Sequence, residues 1–295
     1  MTTVGFIGFG IMGAPMATNL AKAGFDVVGF SRTMSKVSAL SGQGITQADS
    51  VAELTAAADV VITMLPDSPD VTSVVLGDDG VFAHARPGLL FIDMSTIRPD
   101  VALRIAELGR EREIEALDAP VSGGEAGAIE GSLSIMVGGD TAAFERAQPI
   151  LAAMGQTIAL TGPAGSGQTV KAANQLIVAA NLQGLAEAVV FLEAHSVDMS
   201  AAIEVLGGGL AGSTVLRRKS ENMLGRSFAP GFRLDLFHKD MGIVQAAARE
   251  KGVTMLLGAL VGQVIGSLVA QGDGGLDHSA MIKTVDQLSS WRLSM

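Results

Sequence analysis

Val4-Gly5-Phe6-Ile7-Gly8-Phe9-Gly10-Ile11-Met12-Gly13 is an apolar run that breaks into three glycines spaced G-x-G-x-x-G. The run reads as a strand. Met12 to Lys22 reads as a helix, closed by Gly24 before a second apolar run from Asp26 to Phe30. A glycine triplet alone is weak evidence, because 37 glycines are scattered along the chain. Between a strand and a helix, however, each glycine has a use. Gly8 makes the tight turn, Gly10 lets the backbone approach a pyrophosphate, and Gly13 lets helix and strand pack closely. Ile11 and Met12 complete the loop, and the N–H groups that open the helix face the anion. The arrangement predicts a dinucleotide site on a Rossmann domain.

From Thr3 to about Leu160, short apolar runs alternate with amphipathic stretches, as a mainly parallel sheet covered by helices requires. Strands are expected at Val4 to Gly8, Asp26 to Phe30, Asp59 to Leu65, Leu89 to Met94, Glu115 to Asp118 and Leu133 to Val137. After Gly167 helical periodicity takes over. Helices are expected from about Gln168 to His195, and near Met199 to Leu206, Thr214 to Leu224, Leu234 to Glu250, Val253 to Val269 and His278 to Leu293. The Gly/Pro turn Thr161-Gly-Pro-Ala-Gly165-Ser-Gly167 marks the boundary. The fold class is therefore an α/β Rossmann domain, residues 1–162, followed by an all-α C-terminal domain, residues 163–295.

Composition narrows the function. With 295 residues, 48% of them hydrophobic and 17% charged, the chain can bury two cores and is neither disordered nor collagenous. A net charge of -10 with no basic stripe argues against nucleic acid. The lack of cysteine removes disulfides, thiolate metal sites and cysteine nucleophiles, and fits a cytoplasmic protein. The four histidines show no metal-ligand spacing, so no metal is expected. No signal-peptide layout precedes Val4, so the mature protein is expected to begin at the N-terminus. The charge-free stretch between Lys251 and Asp273, with Gly258, Gly262 and Gly266 at small-xxx-small spacing, resembles a membrane helix. Thr254, Gln263 and Ser267 dilute it, and it reads as a buried helix packed on other helices or on a second subunit.

The end of the second strand bears on the cofactor, since an acidic residue there binds the ribose 2′-hydroxyl of NAD. The chain instead has Ser31-Arg32-Thr33, with Lys36 close behind. A guanidinium flanked by hydroxyls suits a 2′-phosphate, which favours NADPH. Arg32 stacked on adenine or facing water is the other reading, and leaves NADH open.

Carbonyl reduction also needs a proton donor. Lys171 and Asn174 lie three residues apart at the start of the long helix, on one face of an otherwise Ala-, Leu- and Val-rich segment. Position alone reads Lys171 equally well as a solvated lysine at a helix start.

Several further segments share an order and spacing with a known family. They are Gly8 to Met16, Met64-Leu-Pro-Asp67, Asp93-Met-Ser-Thr-Ile97, Asp118-Ala-Pro-Val-Ser-Gly-Gly124, Gly165-Ser-Gly-Gln168 with Lys171 and Asn174, and Lys239-Asp240. From Phe6 to Trp291 the chain resembles the β-hydroxyacid dehydrogenases. The resemblance implies that Lys171 is the general acid/base and that Asn174 helps to hold the substrate. It implies that Ser122, Gly123 and Gly124 bind the substrate carboxylate, and that Leu65, Pro66, Thr96 and Lys239 lie against the cofactor. Imine reductases share the architecture but typically replace the lysine, so Lys171 favours a small semialdehyde or hydroxy acid as the partner.

Within the family, Gly123 to Gly131, Gly208 to Leu216, Pro230 to Asp235 and Asp277 to Ala280 look most like the branch that reduces tartronate semialdehyde to glycerate. Glyoxylate, succinic semialdehyde and 3-hydroxyisobutyrate are the competing substrates. A silent dinucleotide-binding module is the distant alternative, since it would not need Lys171. The resemblance further implies a homodimer or homotetramer.

Overall fold

The computed structural model describes residues 2–289. By packing, the chain divides into two compact units, Met1–Lys171 and Ala172–Met295, which part inside a long helix rather than at the Gly/Pro turn before it.

Among the described residues, the first unit carries nine strands: β1 (Thr3–Ile7), β2 (Asp26–Phe30), β3 (Ile45–Gln47), β4 (Val60–Thr63), β5 (Leu90–Asp93), β6 (Glu115–Asp118), β7 (Val121–Ser122), β8 (Leu133–Gly138) and β9 (Gly155–Gly162). Their order is β3-β2-β1-β4-β5-β6-β8-β7, with β9 paired to β8. The path from β3 to β6 is parallel throughout, the doubly wound arrangement of a Rossmann domain. Val60-Val61-Ile62-Thr63 and Leu90-Phe91-Ile92-Asp93 are buried at every position, as strands covered on both faces must be. Alternate side chains feed separate cores. Phe6, Ile62 and Ile92 pack on one face, and Ile7, Val61 and Phe91 on the other.

Three strands escape the sequence pattern. β3 and β7 are too short to display a period, and β9 leaves most of its side chains wholly or partly exposed, which weakens its apolar alternation. The six expected strands lie where the apolar runs put them, within one or two residues at each end.

Among its described residues, the second unit is helical apart from one isolated bridge, Arg233 to Asp277. Its helices are the greater part of Ser166–Ala194, then Met199–Gly208, Thr214–Leu224, Leu234–Glu250, Leu256–Ala270 and Ile282–Ser289, with a short 3-10 turn at His278–Met281. Asp198 and Ser213 cap two of them by accepting from Ser200 and Ala201, and from Leu216. The last helix was expected to reach Leu293, but residues 290–293 lie outside the described ones, as does Trp291.

Leu256–Ala270 spans only 15 residues, short of the roughly 20 a bilayer requires. Its glycines receive neighbouring helices, since a Cβ at Gly258 would meet Leu176 at 2.9 Å and one at Gly262 would meet Gln245 at 2.2 Å. Among the described residues Ser166–Ala194 is the helix long and apolar enough to cross a membrane. Its Ala179, Leu182, Ala186 and Val189 are instead spent in the core of the helical unit.

Asp277 ties the end of this unit together. Fully buried, it takes Lys219 Nζ at 2.9 Å on both oxygens, and the Gly231, Phe232 and Ser279 amides at 3.0–3.1 Å. Burial opposes its charge, but a protonated His278, the Lys219 ammonium and these donors outweigh burial and hold the carboxyl well below the usual range. His278 stands beside it, in a three-ring cluster with Phe232 and Phe237, with neither ring nitrogen hydrogen-bonded to a described residue. Burial lowers its pKa to about 4. The unfolded imidazole therefore takes up a proton near 6.5 while the folded one does not. Stability is lost as pH falls from 6.5 to 4, by about 3 kcal/mol across the window. Urea unfolding of the parent and of His278→Phe at pH 7 and pH 4.5 checks this: the stability difference between the two proteins should shift toward the variant in acid.

Candidate active site

Strands β1 and β4 are neighbours at the point where the strand order reverses, the switch point at which doubly wound sheets bind ligands. The glycine loop leaves β1 there. Gly8 has φ +107°, and a Cβ on it would stand 2.3 Å from the Met64 carbonyl oxygen. A Cβ on Gly13 would stand 1.9 Å from the Gly8 carbonyl oxygen. Both glycines are therefore required by the backbone itself. Gly10 differs, with nothing among the described residues within 4 Å of its Cβ position. Its backbone is open to an incoming group, and Ile11 beside it is half exposed.

The helix that follows, Gly13–Lys22, has no side-chain cap and no acidic residue in its first turn, so its positive end is not neutralised from within. Strand, open glycine and uncapped helix fit the diphosphate of a dinucleotide.

Beyond β2, Arg32 is 80% exposed and pairs with Asp70 at 3.2 Å, while Ser31 Oγ accepts from the Thr33 amide at 3.3 Å. The Arg32–Asp70 pair is a surface contact of small energetic weight, so the guanidinium can exchange partners cheaply.

The turns after β4 and β5 are tied to each other. Asp93 Oδ1 accepts from Thr63 Oγ1 at 2.7 Å and from the Ser95 amide at 3.2 Å, and Ser95 Oγ accepts from the Leu65 amide at 2.8 Å. Gln168, buried on the first turn of the long helix, closes the network. Its Oε1 accepts from the Ile97 amide at 3.1 Å and its Nε2 donates to the Ser95 carbonyl at 2.8 Å, which brackets Thr96. Leu65, Pro66 and Thr96 thus sit on turns at the ends of adjacent strands. Leu65 Cδ2 lies 3.0 Å from the Cβ position of Gly8.

Asp118, at the end of β6, caps that same helix. Its two oxygens accept from the Gly165 amide at 2.7 Å and the Gln168 amide at 2.8 Å. Burial raises its carboxyl to about 6 against the pull of those amides, and Asp93 adds to the rise. Gly138 and Gly167 make the room, because a Cβ on either would come within 2.9 Å of this carboxylate.

One turn on, Lys171 is buried and donates to the Val121 carbonyl at 2.7 Å. Its ammonium is thereby placed one residue from Ser122. Gly123 (φ +145°) and Gly124 (φ +64°) then open the helix Gly124–Glu130, and the Cβ position of Gly124 faces open space. A hydroxyl at the end of β7, the two glycine amides that follow it and an ammonium bonded to the residue before it suit a carboxylate next to a reacting oxygen.

Asn174 and Lys239 belong to the helical unit. Asn174 Nδ2 donates to Gln175 Oε1 at 2.8 Å, Gln175 Nε2 donates to Asp240 Oδ2 at 2.5 Å, and Lys239 Nζ lies 3.0 Å from Asp240 Oδ1.

Sequence reasoning gave no role to Gln168, Asp118, Gln175 or Asp240. All four are buried polar residues that must find partners, but Gln168 follows Gly165-Ser-Gly and Asp240 follows His238-Lys239, so their local polarity is ordinary in the sequence. Among the described residues no group of three or more His, Asp or Glu side chains is arranged to hold a metal ion.

Glycine loop, doubly wound sheet and buried lysine define a nicotinamide-dinucleotide-dependent oxidoreductase. Residues 3–162 match the NAD-binding domain of 6-phosphogluconate dehydrogenase. Residues 165–285 match the family described as the NAD-binding domain of NADP-dependent 3-hydroxyisobutyrate dehydrogenase. The chain is 38% identical to 2-hydroxy-3-oxopropionate reductase of Escherichia coli over 99% of both chains. It is 39% identical to the NAD-dependent L-serine dehydrogenase of Pseudomonas aeruginosa, over 97% of this chain and 98% of that one. Its structure superposes on Mycobacterium tuberculosis 3-hydroxyisobutyrate dehydrogenase, solved with L-serine, with a TM-score of 0.88 and 36% identity over 97% of this chain and 99% of the other. The chain belongs to the β-hydroxyacid dehydrogenase family.

Proposed function

We propose that this enzyme reduces a short semialdehyde acid with NADPH, and that its preferred reaction is tartronate semialdehyde to glycerate. The observation that carries the reading is the buried Lys171 ammonium, held at the Val121 carbonyl beside Ser122, Gly123 and Gly124.

The bound reduced nicotinamide supplies the hydride. The chain supplies the remainder. Gly8, Gly10, Ile11, Met12 and Gly13 receive the diphosphate, while Leu65, Pro66, Thr96 and Lys239 support the rest of the cofactor. Ser122 and the amides of Gly123 and Gly124 orient the substrate carboxylate. Lys171 then donates a proton to the oxygen that gains charge, and Asn174 holds the substrate. In the reverse direction the neutral amine accepts that proton.

Tartronate semialdehyde is favoured because Gly123 to Gly131, Gly208 to Leu216, Pro230 to Asp235 and Asp277 to Ala280 resemble the branch that reduces it. The Escherichia coli reductase, aligned over 99% of both chains, belongs to that branch by name. NADPH is favoured because Ser31, Arg32 and Thr33 replace the acidic residue that would hold a ribose hydroxyl and repel a 2′-phosphate. Exposed Ile177, Phe191, Val205, Leu256 and Leu260 on the helical unit support a homodimer or homotetramer, and the absence of cysteine supports a cytoplasmic setting.

The test is cofactor oxidation with NADPH and NADH against tartronate semialdehyde, glyoxylate, succinic semialdehyde and methylmalonate semialdehyde. Tartronate semialdehyde with NADPH should give the highest kcat/KM, and a preference for a longer semialdehyde would overturn the substrate assignment. In the same assay Arg32→Asp should lower the NADPH-to-NADH ratio of kcat/KM by about ten- to a hundredfold, the worth of a charge-assisted hydrogen bond. An unchanged ratio removes Arg32 from cofactor choice.

A further inference from the structure

The Asn174, Gln175 and Asp240 side chains form a relay whose direction is fixed by chemistry. An amide group presents oxygen one way and nitrogen the other, and either orientation fills the same space. A carboxylate only accepts. Asp240 is 3% exposed and carries Lys239 on one oxygen, so its other oxygen, 2.5 Å from Gln175, must receive an N–H. The Gln175 Nε2 group is thus committed to Asp240, and its Oε1 faces Asn174. Asn174 must then offer Nδ2 to Gln175 and keep Oδ1, an acceptor, for its other side.

We propose that Asp240, acting through Gln175, locks Asn174 as a hydrogen-bond acceptor, so that the enzyme selects acids carrying a donor on the carbon next to the reacting one. The inference rests on the reading above, in which Lys171 serves the reacting oxygen and Asn174 holds the substrate. With the reacting oxygen served by Lys171, the partner left for Asn174 Oδ1 is the neighbouring substituent. A hydroxyl, as in glycerate, and an ammonium, as in serine, both meet that requirement. A bare methylene does not. Asp240 and Gln175 are positioning residues in this scheme. Losing the carboxylate frees both amides to turn, which costs the discrimination more than the fold.

The experiment is oxidation at saturating NADP+ of D-glycerate, L-serine and 3-hydroxypropanoate, the last of which lacks only the C2 donor. The parent should prefer at least one donor-bearing acid over 3-hydroxypropanoate by about tenfold or more in kcat/KM. The glycerate and serine arms tell hydroxyl from ammonium. In Asp240→Asn that preference should fall to within about threefold, because the substituted amide can present either its oxygen or its nitrogen to Gln175. Gln175→Leu breaks the relay while leaving the Lys239–Asp240 pair in place, and should give the same collapse; it carries the test if Asp240→Asn does not fold. A general loss of packing would lower all three substrates together and leave their ratio unmoved.

A parent indifferent to the C2 donor, or variants that keep the preference, would overturn the relay. Lys171→Ala assayed beside them separates the two ideas. If that variant is inactive while the relay variants discriminate like the parent, the relay alone has failed. If it turns over normally, the acid/base reading beneath the relay has failed instead.

Discussion

Lys171→Ala should bind reduced cofactor as the parent does and lose roughly 10²- to 10⁴-fold in kcat, the span that a positioned general acid supplies. The ammonium donates to the Val121 carbonyl, next to the segment assigned to the substrate carboxylate. The substitution changes no residue of the Gly8 to Gly13 loop assigned to the cofactor. Fluorescence titration with NADPH reads binding, and single-turnover reduction reads chemistry. The Val121 carbonyl loses a charged donor, so a modest fall in stability is expected as well. Lys171→Arg is the sharper companion. It keeps the charge but cannot give up its proton at neutral pH, so turnover should fall in both directions, in reduction because the proton is not released to the alkoxide and in oxidation because no neutral base forms. Turnover within threefold of the parent in Lys171→Ala would remove the lysine from the chemistry.

The second large effect belongs to the loop. In Gly13→Ala the new methyl would lie 1.9 Å from the Gly8 carbonyl oxygen and 3.0 Å from the Phe6 ring, so helix and turn must separate. Overpacking of this kind costs about 1–3 kcal/mol or more. Because the displaced parts are the anion-binding turn and the helix end, cofactor affinity should fall by about a hundredfold, a figure equal to about 2.7 kcal/mol. Gly10→Ala provides the contrast. Nothing among the described residues obstructs its methyl, so melting temperature should hold, yet the same methyl would stand on the backbone face assigned to the diphosphate. Calorimetric titration together with thermal melts would separate the two: stability and affinity fall together at Gly13, affinity alone at Gly10. A Gly13→Ala protein that binds NADPH normally would show that the loop is not the dinucleotide site.

What the sequence could tell depended on the range of the interactions involved. Strands β1, β4 and β5 announce themselves because nearly continuous burial demands continuous apolar runs, and each run has enough residues to be seen. β7 has two residues and exists because β8 pairs with it, a fact no local window contains. The glycines of the first loop were legible for a similar reason: each has a fixed place in one strand-turn-helix unit. By contrast, Asp118 meets Gly165 and Gln168 across 47 and 50 positions, and Gln175 meets Asp240 across 65. The residues themselves could be read in the sequence, but their partners could not. Arg32 lies between these cases. Its place after β2 was legible, whereas its contact with Asp70 is a product of folding.

The cap that Asp118 places on the long helix has a consequence for dissecting the enzyme. A clone ending at residue 162 would stop at the Gly/Pro turn and discard Gly165, Gln168 and Lys171. The Asp118 carboxylate would lose both its donors, and the Ser95 carbonyl and Ile97 amide would lose Gln168. The isolated nucleotide-binding half should therefore be unsound when cut where the sequence looks most modular. Extending the clone through the first two turns of the helix restores those partners, and with them Lys171, to which we assign the proton chemistry. The unit that packs as one body is the sheet together with the start of that helix, through Lys171.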